Sequence, residues 1–373
     1  MGYVAVKGGT AAIEASIRRL TYERLKTGRP ANVEDILAGM GALIDQVMSE
    51  ASLYDRAMAA LALKQAEGSP EEAVFILRAF RSTLPRRHYT TVIESESMTI
   101  ERRISAAFKD IPGGQVLGAS KDYTHRLVDF DLSEESPTSA GAWLSAYREA
   151  LPKEPVSPGL LSVPKVLDYL RNEGLMREVD DDNSPPDDVT KMPLEFPTSR
   201  SARLQILTRG QTGAVTALAY ASLRGYGPLL HPNVAELRVG ALPVAVPDPT
   251  DGSNEEDAYY IGSIQVTEVE SVVPVTVRQP GGDSRIRLDI GYGICFGRNE
   301  TKAVAMSLLD QCLEQPDTHS PVHDEEFVLL HIDSVEATGF ISHLKLPHYV
   351  TFQSELDAVR QAGKESKENG DAQ

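Results

Sequence analysis

Apolar positions along this chain follow two different rhythms. Through the first eighty residues they recur every three or four positions, which predicts helices. From about residue 234 they alternate, which predicts strands. Ala11 to about Leu25 has the helical rhythm. Residues 33–82 read as helical throughout, with Val33 to Glu50 first and a new start after Ser52. Ser69-Pro70-Glu71-Glu72 is a helix N-terminus: a capping hydroxyl, a proline at the first position and acids in the first turn. That helix runs to about Leu84, where Pro85 stops it. Ahead of all these, Tyr3-Val4-Ala5-Val6 reads as a short strand. Lys7, Gly8, Gly9 and Thr10 follow, either a tight turn or a backbone cradle for an anion.

Residues 133–200 are rich in proline and acid and read as a linker or insertion. Short helices are predicted there at Trp143–Ala150 and Val163–Asn172. Arg203 to Tyr226 predicts a helix pair, closed by Gly225-Tyr226-Gly227 and followed by His231-Pro232. Val234–Val246, Tyr259–Val269 with Val272–Val277, and Arg285–Phe296 predict an antiparallel meander. Asn299 caps a helix whose apolar face runs from Lys302 to Leu313. The order implies an α+β fold: a helix-rich N-terminal part, then a mainly antiparallel sheet with helices. The expected division is residues 1–132, helix-rich with an arginine-rich segment; 133–200, the insertion; 201–362, the α+β part; and 363–373, a polar, disordered tail.

The stretch Asp324–Phe352 carries three of the eight histidines, His331, His343 and His348. Phe327–Leu330 reads as a buried strand. Asp333 and Glu336 have capping-box spacing for a helix from Ser334, which Pro347 must interrupt. His343 then falls on the last turn and His348 just past the break, so the chain can fold back and bring the rings together. Two neutral imidazoles so placed suit half of a zinc or iron site. The alternative is a helix-capping histidine and an unrelated surface histidine.

Charge and composition narrow the function. The 373 residues carry a formal net charge of −17, which excludes a generic nucleic-acid or anionic-membrane binder. No run approaches the roughly 20 apolar residues of a membrane span, and no secretory signal is visible. Two cysteines, Cys295 and Cys312, lie in apolar surroundings and read as buried thiols, with a cytoplasmic setting expected. Against the acidic whole stands one basic block: Arg78, Arg81, Arg86, Arg87 and His88, then Arg102, Arg103, Lys109, Lys121, His125 and Arg126. Asp110-Ile111-Pro112-Gly113-Gly114-Gln115 makes a turn within it. Arginine forks fit phosphate oxygens and glycines admit close backbone approach, so the block suits a phosphorylated small molecule. A solvated basic face with surface ion pairs fits the same residues. None of the familiar catalytic motifs is complete.

Several blocks resemble the I-subunit family of the bacterial carbon–phosphorus lyase core complex. In order they are YVAVKGG, SLYD, LRAFRSTLPR, ERRISAAFKDIPGGQVLG, DYTHRLVDF, RGYG with HP after it, GYGICFGRNETKAVAMSLLD, and DEEFVLLH, EATGF and HLKLPHYV. They cover residues 3 to about 360, with the weakest match between about Leu132 and Ser199. The resemblance implies attack on a purine nucleoside triphosphate, ATP, at the ribose anomeric carbon. Alone, such a subunit releases the base as a nucleosidase. With its companions it installs a phosphonate, giving α-D-ribose 1-methylphosphonate 5-triphosphate and adenine. The implied companions are subunits G, H and J, with the ABC-type subunits K and L. The family's metal pair at the contact with subunit J falls on His343 and His348, with zinc expected.

Within this reading Arg102, Arg103, Lys109, Gln115 and Arg126 are the expected substrate contacts, and Asp110 and His125 the acid–base candidates. Arg224 and His231 are weaker candidates. A scaffold that presents its histidines and arginines to a partner's active site is the rival. A stand-alone metal hydrolase would need more ligands than the two seen.

Overall fold

Four antiparallel strands, paired in chain order, carry the C-terminal half: β1 (Thr99–Ile104), β2 (Asn233–Val246), β3 (Tyr259–Arg278) and β4 (Ser284–Phe296). The computed structural model describes residues 8–151, 163–177, 184–226, 231–248, 258–278, 282–315 and 320–370. The expected strand at residues 3–6 lies outside them. The meander is where the alternation predicts it. β3 runs unbroken through Pro274, which faces Leu288 of β4. β1 has no apolar alternation to announce it. It forms because Thr99–Ile104 pairs with Leu237–Ala241 of β2, with an irregularity between Ile100 and Arg102.

The helical N-terminal part comprises α1 (Gly9–Leu25), α2 (Val33–Gly39), α3 (Gly41–Ala51), α4 (Arg56–Gln65) and α5 (Pro70–Ser82). Asn32, Asp55 and Ser69 cap α2, α4 and α5 through their side chains. Ile44, Val47, Met48, Leu63, Val74 and Leu77 close a core among α2–α5. α1 buries none of its residues. The middle of the chain forms α6 (Pro137–Ala150) and α7 (Val166–Asn172), the two short helices expected there. α6 is exposed, whereas Val166, Leu167 and Leu170 of α7 pack onto the sheet with Ile111 and Val272.

The sheet has two unlike faces. On one, Leu237, Val239, Val269 and Cys295 meet α8 (Arg200–Arg209), α9 (Thr212–Ala221) and α10 (Glu300–Glu314). α10 lies very close to β4 because Gly291 and Gly293 offer it no side chains. A Cβ at either would sit inside contact distance of a carbonyl oxygen of α10, that of Ser307 or Ala303. The other face carries α7 at one end and a buried set of charges beside it.

The C-terminal stretch departs from expectation at one element. Phe327–Leu330 is not a strand but part of α11 (Glu325–His331). Asp324 accepts from the Phe327 N–H at 3.0 Å, and Glu325 and Glu326 occupy the first turn. A run of four apolar residues has no period of its own, so the acidic cap decides it. α12 (Ser334–Ser342) starts as expected, capped by Asp333. A 3-10 turn (His343–Lys345) and Pro347 follow, then α13 (Tyr349–Gly370). α13 extends into the segment expected to be an unstructured tail.

Candidate functional site

The two histidines do converge. Their rings lie 5.5 Å apart between centroids. His348 Nδ1 is 2.6 Å from the Leu346 carbonyl, and His343 Nδ1 contacts the Phe340 carbonyl. A carbonyl can only accept, so each Nδ1 carries a proton, and in the neutral ring this leaves the Nε2 lone pair for a ligand role. Both rings open on a hollow of about 760 Å³ walled by Phe340, Leu346, Pro347, Tyr349 and Val350. Among the described residues no group of three or more histidine, cysteine, aspartate or glutamate side chains could hold a metal ion. The pair supplies two donors, and any further ones must come from outside this set.

The basic block separates into structural and open groups. Arg103 is fully buried. It pairs with Glu236 and donates to the carbonyls of Pro112, Gly114 and Pro164. Its fork thus pins the Asp110–Gln115 turn and the start of α7 to the sheet. Gln115 closes the same turn, donating to the Phe108 and Lys109 carbonyls. Arg78 is likewise a bracket, bonded to Asp333 and to the carbonyls of Glu50 and Arg209. Lys109, Asp110 and His125 are exposed. Arg224 is exposed and lies over the Tyr220 ring, and His231 is exposed, apart from the other candidates.

Arg102 points the other way. Strand geometry sends successive side chains to opposite faces, and Arg102 joins Asp122 at 2.7 Å to Glu300 at 2.8 Å. These carboxylates border a cleft of about 1090 Å³, slightly larger than most small-molecule sites. Arg56, Lys121, Arg126 and Arg298 line it. The N-termini of α3 and α10 open onto it and add their partial positive charge. Arg56 is paired with Asp45 at 2.6 Å and Arg298 with Glu101 at 2.6 Å. Arg126 takes a left-handed backbone, φ 55°, and its Nε donates to the Lys121 carbonyl at 3.0 Å. Of the expected substrate contacts, only Arg126 lines the cleft and Arg102 braces it. Arg56 and Arg298 were missed because each stands alone in its stretch of sequence.

A second set was also missed. Glu236, Arg238, Glu268, Glu270 and Tyr292 share one sheet face by register, Glu236 opposite Glu270, Arg238 opposite Glu268 and Glu270 opposite Tyr292. Lys165, the N-cap of α7, reaches Glu270 at 2.8 Å and Glu268 at 3.2 Å. The Tyr292 hydroxyl donates to Glu268 at 2.8 Å. Burial pushes the Tyr292 hydroxyl well above the usual phenol range, and the Glu268 charge adds to it. Burial also raises the Glu270 carboxyl, against the pull of Lys165. For Glu268 burial is outweighed by Arg238 and Lys165, which hold its carboxyl below the ordinary value. Alternation of charged with apolar residues is what half-exposed strands show, so nothing in the local pattern marks these residues as buried.

Comparison with known proteins fixes the family. A model of the family described as bacterial phosphonate metabolism protein (PhnI) matches residues 2–366. "Alpha-D-ribose 1-methylphosphonate 5-triphosphate synthase subunit PhnI" of Rhizobium meliloti (strain 1021) is 45% identical, over 97% of this chain and 95% of its own. The Escherichia coli (strain K12) protein of the same name is 42% identical, over 97% and 99%. "Putative C-P lyase subunit protein HtxH" of Stutzerimonas stutzeri is 43% identical, over 96% and 95%. No helix among the described residues is long and apolar enough to cross a membrane.

Proposed function

The chain belongs to the PhnI family of bacterial phosphonate metabolism proteins, and from that premise we propose that it is the nucleotide-binding subunit of a cytoplasmic carbon–phosphorus lyase complex. Its substrates are ATP and a phosphonate. A phosphonate oxygen replaces adenine at the ribose anomeric carbon, giving α-D-ribose 1-methylphosphonate 5-triphosphate. Without companions, water takes the phosphonate's place and the subunit acts as a purine nucleosidase. The companions are subunits G, H and J, with K and L.

The observation that carries this reading is the cleft in which Arg56, Lys121, Arg126 and Arg298 meet. A ribose 5-triphosphate is the product named for two relatives, and its phosphates need such a surface. Arginine forks now shared with Asp45 and Glu101 can turn to phosphate oxygens, each contact being charge-assisted. Arg102 holds the cleft's rim and Arg103 the Asp110–Gln115 turn away from it, so both serve position rather than contact. The Arg126→Ala, Arg298→Ala double variant should bind ATP roughly tenfold to a hundredfold more weakly, as half-exposed charge-assisted bonds of about 1 kcal/mol each imply. Calorimetry with ATP checks this. Unchanged affinity would place the triphosphate elsewhere.

The histidine pair supports a zinc ion shared with a companion. The donors fit zinc: two imidazoles whose Nδ1 atoms are engaged by carbonyls, leaving Nε2 as the coordinating atom. A bound zinc would supply Lewis acidity toward a substrate oxygen. His343 and His348 orient and hold, and the companion's side chains complete the shell. Metal analysis of the assembled complex should show one zinc fewer per subunit in the His343→Ala, His348→Ala variant. Equal zinc in both would return the pair to helix capping. Were the chain a scaffold only, it would release no adenine from ATP on its own.

A further inference from the structure

The first half of the basic block gathers where α5 meets the end of α8. α5 presents Arg78 and Arg81 one turn apart, α8 ends on Arg209, and Arg86 follows the stop at Pro85. Arg78 Nη2 donates to the Arg209 carbonyl at 3.2 Å and ties the two helices together. Arg78 is matched by Asp333 at 2.5 Å, and Arg86 by Asp188 at 2.7 Å. Arg81 and Arg209 are not matched. Among the described residues Arg81 donates only to the carbonyls of Ala51 and Ser52, and Arg209 only to that of Val189. Neither pairs with a carboxylate there.

The buried arginines are treated differently. Arg102, Arg103, Arg203 and Arg238 each meet a carboxylate. A guanidinium that leaves water needs such a partner, because desolvating a charge costs far more than desolvating a neutral group. Arg81 and Arg209 are both half-buried, and their close neighbours include charges of the same sign. Burial, then Arg78 and Arg81, draw the Arg209 guanidinium down to about 10, against the pull of Asp333 and Glu336. Burial, Arg78 and Arg86 lower that of Arg81 as well, and Asp188 only partly offsets them. Arg209 Nε is also buried without a hydrogen-bond partner among the described residues. The chain as a whole has carboxylates in excess, with a formal net charge of −17, yet it leaves these two cations facing their own kind.

We propose that Arg81 and Arg209 bind a phosphoryl or phosphonyl dianion, at a site separate from the basic cleft. None of the four arginines lines that cleft. The terminal oxygens of such a group accept from two guanidinium forks together, and its charge removes the repulsion between them. Arg78 and Arg86 are positioning residues. Arg78 fixes the end of α8, and Arg86 holds Asp188 and, at 3.1 Å, the Thr190 hydroxyl across the edge of the site. Free phosphate, a phosphonate and the end of a nucleotide share this chemistry. The site stands whether or not the cleft holds a triphosphate, since it uses different residues.

The test titrates the full chain with methylphosphonate, inorganic phosphate and tripolyphosphate by calorimetry, at constant ionic strength. The Arg81→Gln, Arg209→Gln variant should bind methylphosphonate and phosphate at least tenfold more weakly than wild type. The cleft variant Arg126→Ala, Arg298→Ala should keep both within twofold. In that cleft variant, tripolyphosphate binding tighter than phosphate would support the site with a nucleotide's end as its ligand. Equal binding would support it with a free dianion. A wild-type protein that binds neither methylphosphonate nor phosphate would overturn the proposal. So would affinity lost in the cleft variant and kept in Arg81→Gln, Arg209→Gln. If the latter kept its anion affinity but no longer held companion subunits, the arginines would belong to a partner's carboxylates, and the proposal would fall. Should the double variant not fold, Arg81→Gln alone should weaken phosphate severalfold, and unchanged affinity would overturn the site.

Discussion

Arg102 and Arg103 are adjacent, alike and both buried, yet they do different work. The sequence marks both as cations near a glycine turn. Strand alternation sends one to the cleft and the other into the sheet, and the carboxylate that claims Arg103 comes from Glu236, far along the chain. No local signal carries that information. The same holds for Glu270, whose fate is set by burial. Its raised carboxyl means that the folded protein keeps the proton to higher pH than the unfolded chain does. Stability is therefore lost as pH rises from the ordinary glutamate value of about 4.3 toward the raised one. Glutamine copies the protonated form at every pH. The Tm difference between Glu270→Gln and wild type should grow in the variant's favour as pH rises above the ordinary glutamate value. A difference that shrinks as pH rises would show the carboxylate to be the preferred form.

Elements were legible in proportion to how much of their own stability they carry. The capped helices α5 and α12 announce themselves, because Ser69 and Asp333 act within one turn, whereas α4 starts at Arg56 under Asp55, past the start expected after Ser52, which instead caps the end of α3. The meander is visible through its β-branched residues. β1 was not, since its pairing partner rather than its own sequence makes it a strand. In β4, Gly291 and Gly293 carry no side chain toward α10. They prove to be the surface on which α10 rests. Gly293→Ala should cost about 3 kcal/mol, the upper part of the usual range for overpacking, because the Ala303 carbonyl belongs to a helix that cannot yield locally. Gly141→Ala in α6 meets open space and should be neutral or mildly stabilising. Thermal unfolding of the pair checks both, and equal effects would deny α10 its close seat.

At the scale of the molecule, the α+β class and the helical first part follow from the two rhythms of the chain, and the structure has both. The candidate site was legible in kind but not in place. Basic residues and histidines were visible, whereas the cleft draws its walls from α3, α10 and the loop at residues 119–126, which meet only after folding. Much apolar surface stays open, including Leu127, Val128 and Phe130 of the middle segment and Phe340, Leu344 and Val350 around the histidines. Patches of this kind are what a subunit presents to its companions, in keeping with the names its relatives bear.

The order of the strands has a consequence in time. β2, β3 and β4 are neighbours through short connections, but the chain between Ile104 and Asn233 wanders through α6, α7, α8 and α9 before β1 can pair with β2. Closing that excursion costs roughly 2 kcal/mol more than closing a hairpin of about ten residues. The three-stranded meander should therefore gather first, and β1 should dock late, bringing the residue 119–126 loop with it. Native-state hydrogen exchange reads this directly. The Arg103 amide, which bonds to Val116, should exchange faster than amides at the centre of β3. Equal protection would mean one cooperative unit. If β1 does open first, the cleft wall is the last part of the chain to mature, and a nascent subunit would already display its meander before it could hold a nucleotide.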